Sequence, residues 1–486
     1  MACNSSGCQS NCYKNDDQLS DSKPTPANNS NNETLNLCLK CKTNSPISPG
    51  SLSGDEARFC ADCFRSNIYG KFRLAVTSHA MISPSDNVLV AFSGGPSSRV
   101  ALQFVHELQY KAQKNFEASK DRSLPVFGVG VAFIEESAVY PVSSDKADGA
   151  IQDMRLVVSN LAPQQNNSSD CKDILTKLLD AVNDATGKED LLLHLRMMAL
   201  QKVASENGYN RLVLGSCTSR IARHVLAATV KSIKWVPKEK SCDVGALLSS
   251  DVISDRMKKE LTHTCYTLGT FDPGQGYSLS ADIQYVDARW EIPVVLPLRD
   301  CTSQELNLLC CLDGLKTLQL FDSFPSGING LISSFVNLLQ EENPSRECTI
   351  VRTAGKLTPF EFNRIPEIDD CNVPLATRRR QKRCNLKPKE FISSELFCLI
   401  CNGPLKNFNS LSLSSLDSCQ SSRFSAACCS SCQFQILPKD PSSMENFCSL
   451  LPRQVVGRAK HGNCGNLSLL REQIQDCLLS DSENET

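Results

Sequence analysis

Asn87-Val-Leu-Val-Ala-Phe-Ser-Gly-Gly-Pro-Ser-Ser-Arg-Val-Ala-Leu-Gln-Phe-Val-His-Glu-Leu108 is the most informative stretch of this chain. Val88 to Phe92 form a short unbroken apolar run, the pattern of a parallel strand covered on both faces. Ser93-Gly94-Gly95 ends the run, and the paired glycines allow torsions that other residues resist. Pro96 suits the first turn of a helix, where its missing N–H costs nothing. Val100, Ala101, Phe104, Val105 and Leu108 then recur at the spacing of one buried helical face. Strand, glycine turn and helix N-terminus together make an anion cradle. Its backbone N–H groups face the ligand, and the hydroxyls of Ser93, Ser97 and Ser98 can add to it.

Around this stretch, strands alternate with helices. Pro125 to Phe133 reads as a second buried strand, Met154 to Leu161 as a third, and Arg211 to Gly215 as a fourth. The polar run Ala162 to Asp170 reads as an exposed insertion. Lys172 to Val182, Leu191 to Val203, Thr218 to Val230 and Gly327 to Leu339 carry helical apolar spacing. Asp287 to Asp300 holds one more apolar strand, followed by Pro297-Leu298-Arg299 and a helix from Ser303 that carries Glu305. Arg299 could meet a phosphate or form a salt bridge between units. Alternation of this kind implies an α/β fold with a parallel sheet and helices on both faces. In such sheets ligands sit outside the carboxyl ends of the strands, where Ser93-Gly94-Gly95 and Gly215-Ser216-Cys217 would meet.

The chain has 486 residues, 41% hydrophobic and 21% charged, with a net charge of −2. That length suits two or three units. The charge excludes a global basic field, so any RNA affinity must come from local patches. The first residues, Met-Ala-Cys-Asn-Ser-Ser-Gly-Cys, lack the pattern of a signal peptide, and no apolar run nears the roughly 20 residues needed to cross a bilayer. These features point to a cytoplasmic protein with no membrane partner.

Eight of the 26 cysteines fall into four Cys-x-x-Cys pairs. Cys38 and Cys41 are separated from Cys60 and Cys63 by eighteen residues, the spacing of a zinc ribbon. Cys398 and Cys401 are separated from Cys429 and Cys432 by 27 residues, with Cys428 as an alternative ligand to Cys429. Structural zinc is the leading reading of the first set, beside a redox dithiol or an iron–sulfur cluster. Residues 1–34 read as a disordered leader, 35–75 as a zinc-ribbon-like module and 76–345 as the α/β domain. A basic linker over 346–395, a second zinc module over 396–440 and a helix with an acidic tail over 441–486 complete the plan. Phe64 to Ala75 reads as a helix whose Arg65, Lys71 and Arg73 form either an RNA-facing surface or an ordinary solvated face. Arg378 to Arg383 poses the same choice, with an import signal besides.

Ser93-Gly94-Gly95 with Ser98 resembles the Ser-Gly-Gly-x-Asp-Ser pyrophosphate loop of enzymes that adenylate an RNA base or an acid with ATP. Ser97 stands where that loop has Asp. The combination of two terminal Cys-x-x-Cys pair sets, a degenerate pyrophosphate loop and Ile292-Pro-Val-Val-Leu-Pro-Leu298 resembles the cytoplasmic tRNA 2-thiolation protein 2 family over roughly residues 35 to 440. The resemblance implies a domain of the adenine-nucleotide α-hydrolase/pyrophosphate-loop type. It also implies a catalytic homologue, the cytoplasmic tRNA 2-thiolation protein 1, as partner, and a thiocarboxylated ubiquitin-like carrier as sulfur donor. The substrate implied is the wobble uridine of tRNA(Lys), tRNA(Glu) and tRNA(Gln), modified to mcm5s2U. Active relatives resemble Gly-His-Asn-x-x-Asp where this chain has Gly215-Ser-Cys-Thr-Ser-Arg220. They also carry a mid-domain Cys-x-x-Cys, whereas only Cys171 lies between Gly95 and Gly215 here. The sequence therefore reads as a non-catalytic subunit, with ATP binding left open. An independent ATP-dependent tRNA sulfurtransferase and a zinc-based adaptor for ubiquitin-like proteins are the alternatives.

Overall fold

In the computed structural model, residues 37–47, 58–119, 125–134, 169–232, 282–317, 327–343, 345–356, 397–403, 405, 424–452 and 455 are described. Five strands form one sheet: β1 (Asn87–Phe92), β2 (Gly128–Phe133), β3 (Arg211–Val213), β4 (Val286–Asp287) and β5 (Val294–Val295). Their order is β2-β1-β3-β5-β4. β1 pairs in parallel with β2 on one side, Val88 opposite Val129, and with β3 on the other, Val88 opposite Arg211. β5 continues the parallel set, and β4 closes the edge antiparallel. The strand order thus reverses beside β1, which opens a crevice at the carboxyl ends of β1 and β3.

The uniformly apolar β1 now has its explanation. Val88, Val90 and Phe92 enter one core, with α1 (Ala61–Ser78), α2 (Pro96–Ala118) and α6 (Ser303–Leu312). Leu89 enters the opposite core, with α3 (Ser169–Asp180), α4 (Ala185–Glu206), α5 (Thr218–Ser232) and α8 (Ser345–Ala354). On the first face Tyr69 and Phe72 of α1 meet Phe104 of α2, with ring centroids 5.1 and 5.4 Å from Phe104. On the second, α7 (Gly327–Glu342) lies against α5 and α4.

Polar groups clamp the amino ends of the central strands. Asn87 donates its N–H to Asn210 Oδ1 at 2.9 Å, and Asn210 Nδ2 reaches the buried Asp86 at 3.0 Å. At the opposite end β1 runs straight into Ser93-Gly94-Gly95. Gly94 takes φ +82°, a left-handed torsion that glycine adopts without strain.

Neither cysteine module stands apart from the sheet. α1 runs across the expected boundary at residue 75 into the first core. Cys398, Ile400, Phe424 and Cys432 join the second core beside Phe447 of α10 (Pro441–Leu450). α9 (Ser430–Gln435) approaches α4 so closely that a Cβ on Gly187 would lie 1.9 Å from the Gln435 carbonyl oxygen.

The sheet is parallel as expected except at its β4 edge, which pairs antiparallel and is too short to register as a strand in the sequence. Several finer expectations change. α3 begins at Ser169, inside the stretch expected to be an insertion, and includes Cys171. The linker expected from residue 346 instead opens on α8, which packs on α5 through Val351 and Ala354. The strand expected over 154–161, the leader, the Arg378 to Arg383 cluster and the acidic tail lie outside the described residues.

The Arg289 side chain, 2% exposed, pairs with both Asp282 and Asp287. Burial pushes the Asp282 carboxyl up, but Arg289 and His224 outweigh it and hold the group well below the usual carboxylate range. A carboxylate lowered in this way stabilises the fold above about pH 4 and loses that contribution as the pH falls. Arg289→Met removes the guanidinium that pairs the buried Asp287 and leaves the half-buried Asp282 with His224 alone, and should cost about 3–5 kcal/mol in urea unfolding. It should also flatten the acid limb of the stability–pH curve.

Candidate nucleotide cradle and cysteine centres

At the carboxyl ends of β1 and β3 the chain encloses a cavity of about 440 Å³. One wall is Ser93, Gly95, Pro96, Ser97 and Ser98. Gly95 is the N-cap of α2, Pro96 occupies the first turn, and no side chain caps the helix. The Ser97 and Ser98 N–H groups therefore end the helix as its first available donors. Gly215 closes the crevice from the β3 side: a Cβ there would lie 2.7 Å from both the Ser98 N and Cα. Only glycine permits this approach.

The serines divide their work. Ser98 is buried, and its hydroxyl donates to the Gly95 carbonyl at 2.9 Å while accepting the Ser93 N–H at 3.2 Å. The Ser93 hydroxyl turns to Ser98 as well, at 3.2 Å. The exposed Ser93 and buried Ser98 brace the loop against each other, and both line the cavity together with Ser97.

Arg196 of α4, with Arg220 and Arg223 of α5, supplies the charge in the lining, and no carboxylate lines the cavity among the described residues. Sequence reasoning singles out Arg220 alone. Arg196 sits inside an apolar helical run that reads as core. Arg223 is legible in principle, since residues three apart on a helix share a face. Cys217 lies at the rim, 3% exposed, as a small buried side chain.

Arg299 takes neither expected role. Its Nε donates to the Ile283 carbonyl at 2.7 Å, and its guanidinium lies 4.4 Å from the Tyr285 ring centre, away from the cavity lining. The basic face expected on α1 is likewise largely neutralised. Arg65 pairs with Glu107 at 2.7 Å and Asp313 at 3.0 Å, Lys71 pairs with the buried Glu305, and Arg73 is exposed.

The four sulfurs of Cys38, Cys41, Cys60 and Cys63 lie within 4.8 Å of one another, as do those of Cys398, Cys401, Cys429 and Cys432. Cys429 rather than Cys428 completes the second set. The two centres share one construction despite their different gaps. The third cysteine donates its N–H to the first sulfur at 3.2 Å in both, Cys60 to Cys38 and Cys429 to Cys398. The second and third sulfurs stand 3.7 and 3.6 Å apart. Leu39 donates to the Arg58 carbonyl, and Leu399 to that of Ala427, each acceptor two residues before the third cysteine. Lys42 and Asn402, directly after the second cysteine, turn back with φ +56° and +54°. Cys60 and Cys429 are the N-caps of α1 and α9. A metal 2.3 Å from four tetrahedral sulfurs sets them about 3.8 Å apart, so the spacing fits.

No family model matches the chain. A protein of Arabidopsis thaliana named cytoplasmic tRNA 2-thiolation protein 2 is 55% identical over 497 residues, 99% of each chain. The protein of that name in Oryza sativa subsp. japonica is 44% identical, covering 87% of this chain and 86% of the relative. That of Xenopus tropicalis is 23% identical over 92% and 95%. Among solved structures, the U34-tRNA thiolase NcsA from Methanococcus maripaludis with its 4Fe–4S cluster covers 69% of this chain and 91% of that chain, at TM-score 0.42 and 17% identity.

Each cysteine set should hold one metal equivalent. Cys41→Ser and Cys401→Ser should each remove one equivalent by elemental analysis. Cys401→Ser should also lower the urea midpoint of the whole α/β domain, because its module shares the second core.

Proposed function

The chain belongs to the cytoplasmic tRNA 2-thiolation protein 2 family, and from that premise we propose that it is the non-catalytic subunit of a cytoplasmic tRNA-thiolating complex. A homologous catalytic chain, resembling the tRNA 2-thiolation protein 1, performs the transfer. Sulfur passes from a thiocarboxylated ubiquitin-like carrier to the wobble uridine of tRNA(Lys), tRNA(Glu) and tRNA(Gln).

The observation that carries this reading is the cavity at β1 and β3, with its three arginines and no carboxylate among the described residues. Adenylation by ATP relies on a divalent metal to neutralise and orient the phosphates, and carboxylates commonly hold that metal. Ser97 and Arg220 occupy the positions where the resemblance implies acids. The scaffold of loop, helix terminus and glycine contact is intact while those acids are missing. A fold kept without its chemistry serves a surface, and an interface with a homologous chain is the simplest such surface.

Both cysteine centres then act as structural sites. Four thiolates in a closed shell fit zinc, leave no open coordination position for hydrolysis, and tie α1 and α9 to their knuckles. Zinc without iron or acid-labile sulfide is the expected metal analysis, and iron–sulfur absorption bands would reverse that assignment.

Reconstitution provides the test. The catalytic homologue, carrier, ATP and tRNA should form 2-thiouridine at the full rate only when this chain is added. Equal rates with and without it would make the chain dispensable and the reading wrong. Loss of RNA affinity should track the two-chain complex rather than Arg65 or Lys71, whose charges are already paired within the fold.

A further inference from the structure

We propose that the first cysteine knuckle grips the tRNA backbone through Lys40, Lys42 and Arg58. The identity of the RNA rests on the functional reading above; the surface rests on a contrast between the two cysteine centres.

The centres are one device in two settings, so each is a control for the other. Leu39 and Leu399 follow the first cysteine of their sets and donate to the matching carbonyls of Arg58 and Ala427. Leu399 is 7% exposed and packs with Ile400 in the second core. Leu39 is 41% exposed, beside the equally open Leu37. Lys40 stands where the second centre has the buried Ile400, Lys42 where it has the buried Asn402, and Arg58 where it has Ala427. All three cations are exposed, and none has an ion-pair partner among the described residues. Where the knuckle packs on its own chain, these positions are apolar or amide; where it is open, they are cationic. A net charge of −2 offers no general excess of cations to account for the cluster.

Lys42 carries a second, independent signal. It holds φ +56°, and its counterpart Asn402 holds +54°. Asparagine tolerates this left-handed torsion, whereas lysine takes it at a cost in strain. The fold alone would favour Asn or Gly at residue 42, so the charge of the lysine, and not its conformation, explains its presence. The face then matches a nucleic-acid backbone. Lysine ammonium groups are point charges for phosphate oxygens, and the Arg58 guanidinium can take a phosphate or stack on an unpaired base. Leu37 and Leu39 give a ribose or base face an apolar surface to lie on. This contact is separate from Arg65 and Lys71, whose charges are spent inside the fold. No bond is made or broken, so the knuckle positions RNA and performs no chemistry.

Fluorescence anisotropy with a labelled tRNA(Lys) transcript, at several salt concentrations, tests the proposal on the full chain alone and with the catalytic homologue. Lys40→Gln and Lys42→Asn should each weaken binding about five- to tenfold at 0.1 M salt, and each should lower the slope of log affinity against log salt by about one. Lys202→Gln, the same charge change on α4, should alter neither quantity. Metal content should match wild type in all three variants. Lys42→Asn should melt at or above the wild-type temperature, because it copies the residue of the second centre; a lower melting temperature would assign Lys42 to the fold and overturn its role in binding. Knuckle variants that bind tRNA like wild type, or no better and no worse than Lys202→Gln, overturn the site. Absence of tRNA binding in both preparations does the same. Unchanged tRNA affinity with weakened binding of the catalytic homologue would make the knuckle a protein contact and the RNA claim wrong. All of these are binding measurements, so the knuckle can fail while 2-thiouridine formation still depends on the chain, and the two failures are distinct.

Discussion

Parallel pairing of β1 with neighbours on both sides is the constraint on which the rest of the molecule depends. A strand so placed must be apolar on both faces, and Val88, Leu89, Val90 and Phe92 meet that demand. Because its neighbours lead off in opposite directions, the chain must leave a crevice where β1 ends. Ser93-Gly94-Gly95 turns there, α2 starts there, and Gly215 presses against Ser98 to seal the other side. The cavity is thus a consequence of topology. Its chemistry is a separate matter, set by whichever side chains α4 and α5 direct into it.

On the proposed reading, that separation lets the fold persist without the activity. Loop geometry rests on backbone torsions, on the hydroxyls of Ser93 and Ser98, and on one glycine contact, none of which requires a metal or a carboxylate. Acids can be replaced by serine or arginine without unfolding the cradle, since those positions line the space and do not support it. The cysteine centres show the opposite logic. Each is fixed at its knuckle by the same backbone bonds and is fused to one of the two cores, the first through α1 and the second through Cys398, Ile400 and Cys432. Losing them would loosen the layers that hold the sheet. They are located on opposite faces and are built as two copies of one device.

The sequence carried the strand–turn–helix unit, the cysteine quartets, the helix from Ser303 with its Glu305, and the helices over Leu191 to Val203 and Thr218 to Val230, because each has a strong local period or spacing. It could not carry β4, two residues long, whose strand character comes only from its antiparallel pairing with β5; β5 itself lies within the apolar strand expected over Asp287 to Asp300. The same limit hid α8, polar enough to read as linker until its few apolar groups meet α5. Arg196 was invisible for a related reason: one charge in an apolar helix is assigned to solvent unless the third dimension puts a cavity beside it. Arg65 and Lys71 erred in the other direction. Their partners, Glu107, Asp313 and Glu305, are 42, 248 and 234 residues away, beyond any local pattern. Arg299 was drawn inward by Ile283 and Tyr285 in the same way.

The central claim is that this cradle persists without ATP chemistry. Exchange of labelled pyrophosphate into ATP by the purified, metal-replete chain, with magnesium and tRNA present, measures it directly. The account predicts no exchange above a control lacking the chain, and no exchange after Ser97→Asp, since Arg220 still occupies the second position. Robust exchange or AMP formation by the unaltered chain would contradict it and make this protein an enzyme in its own right.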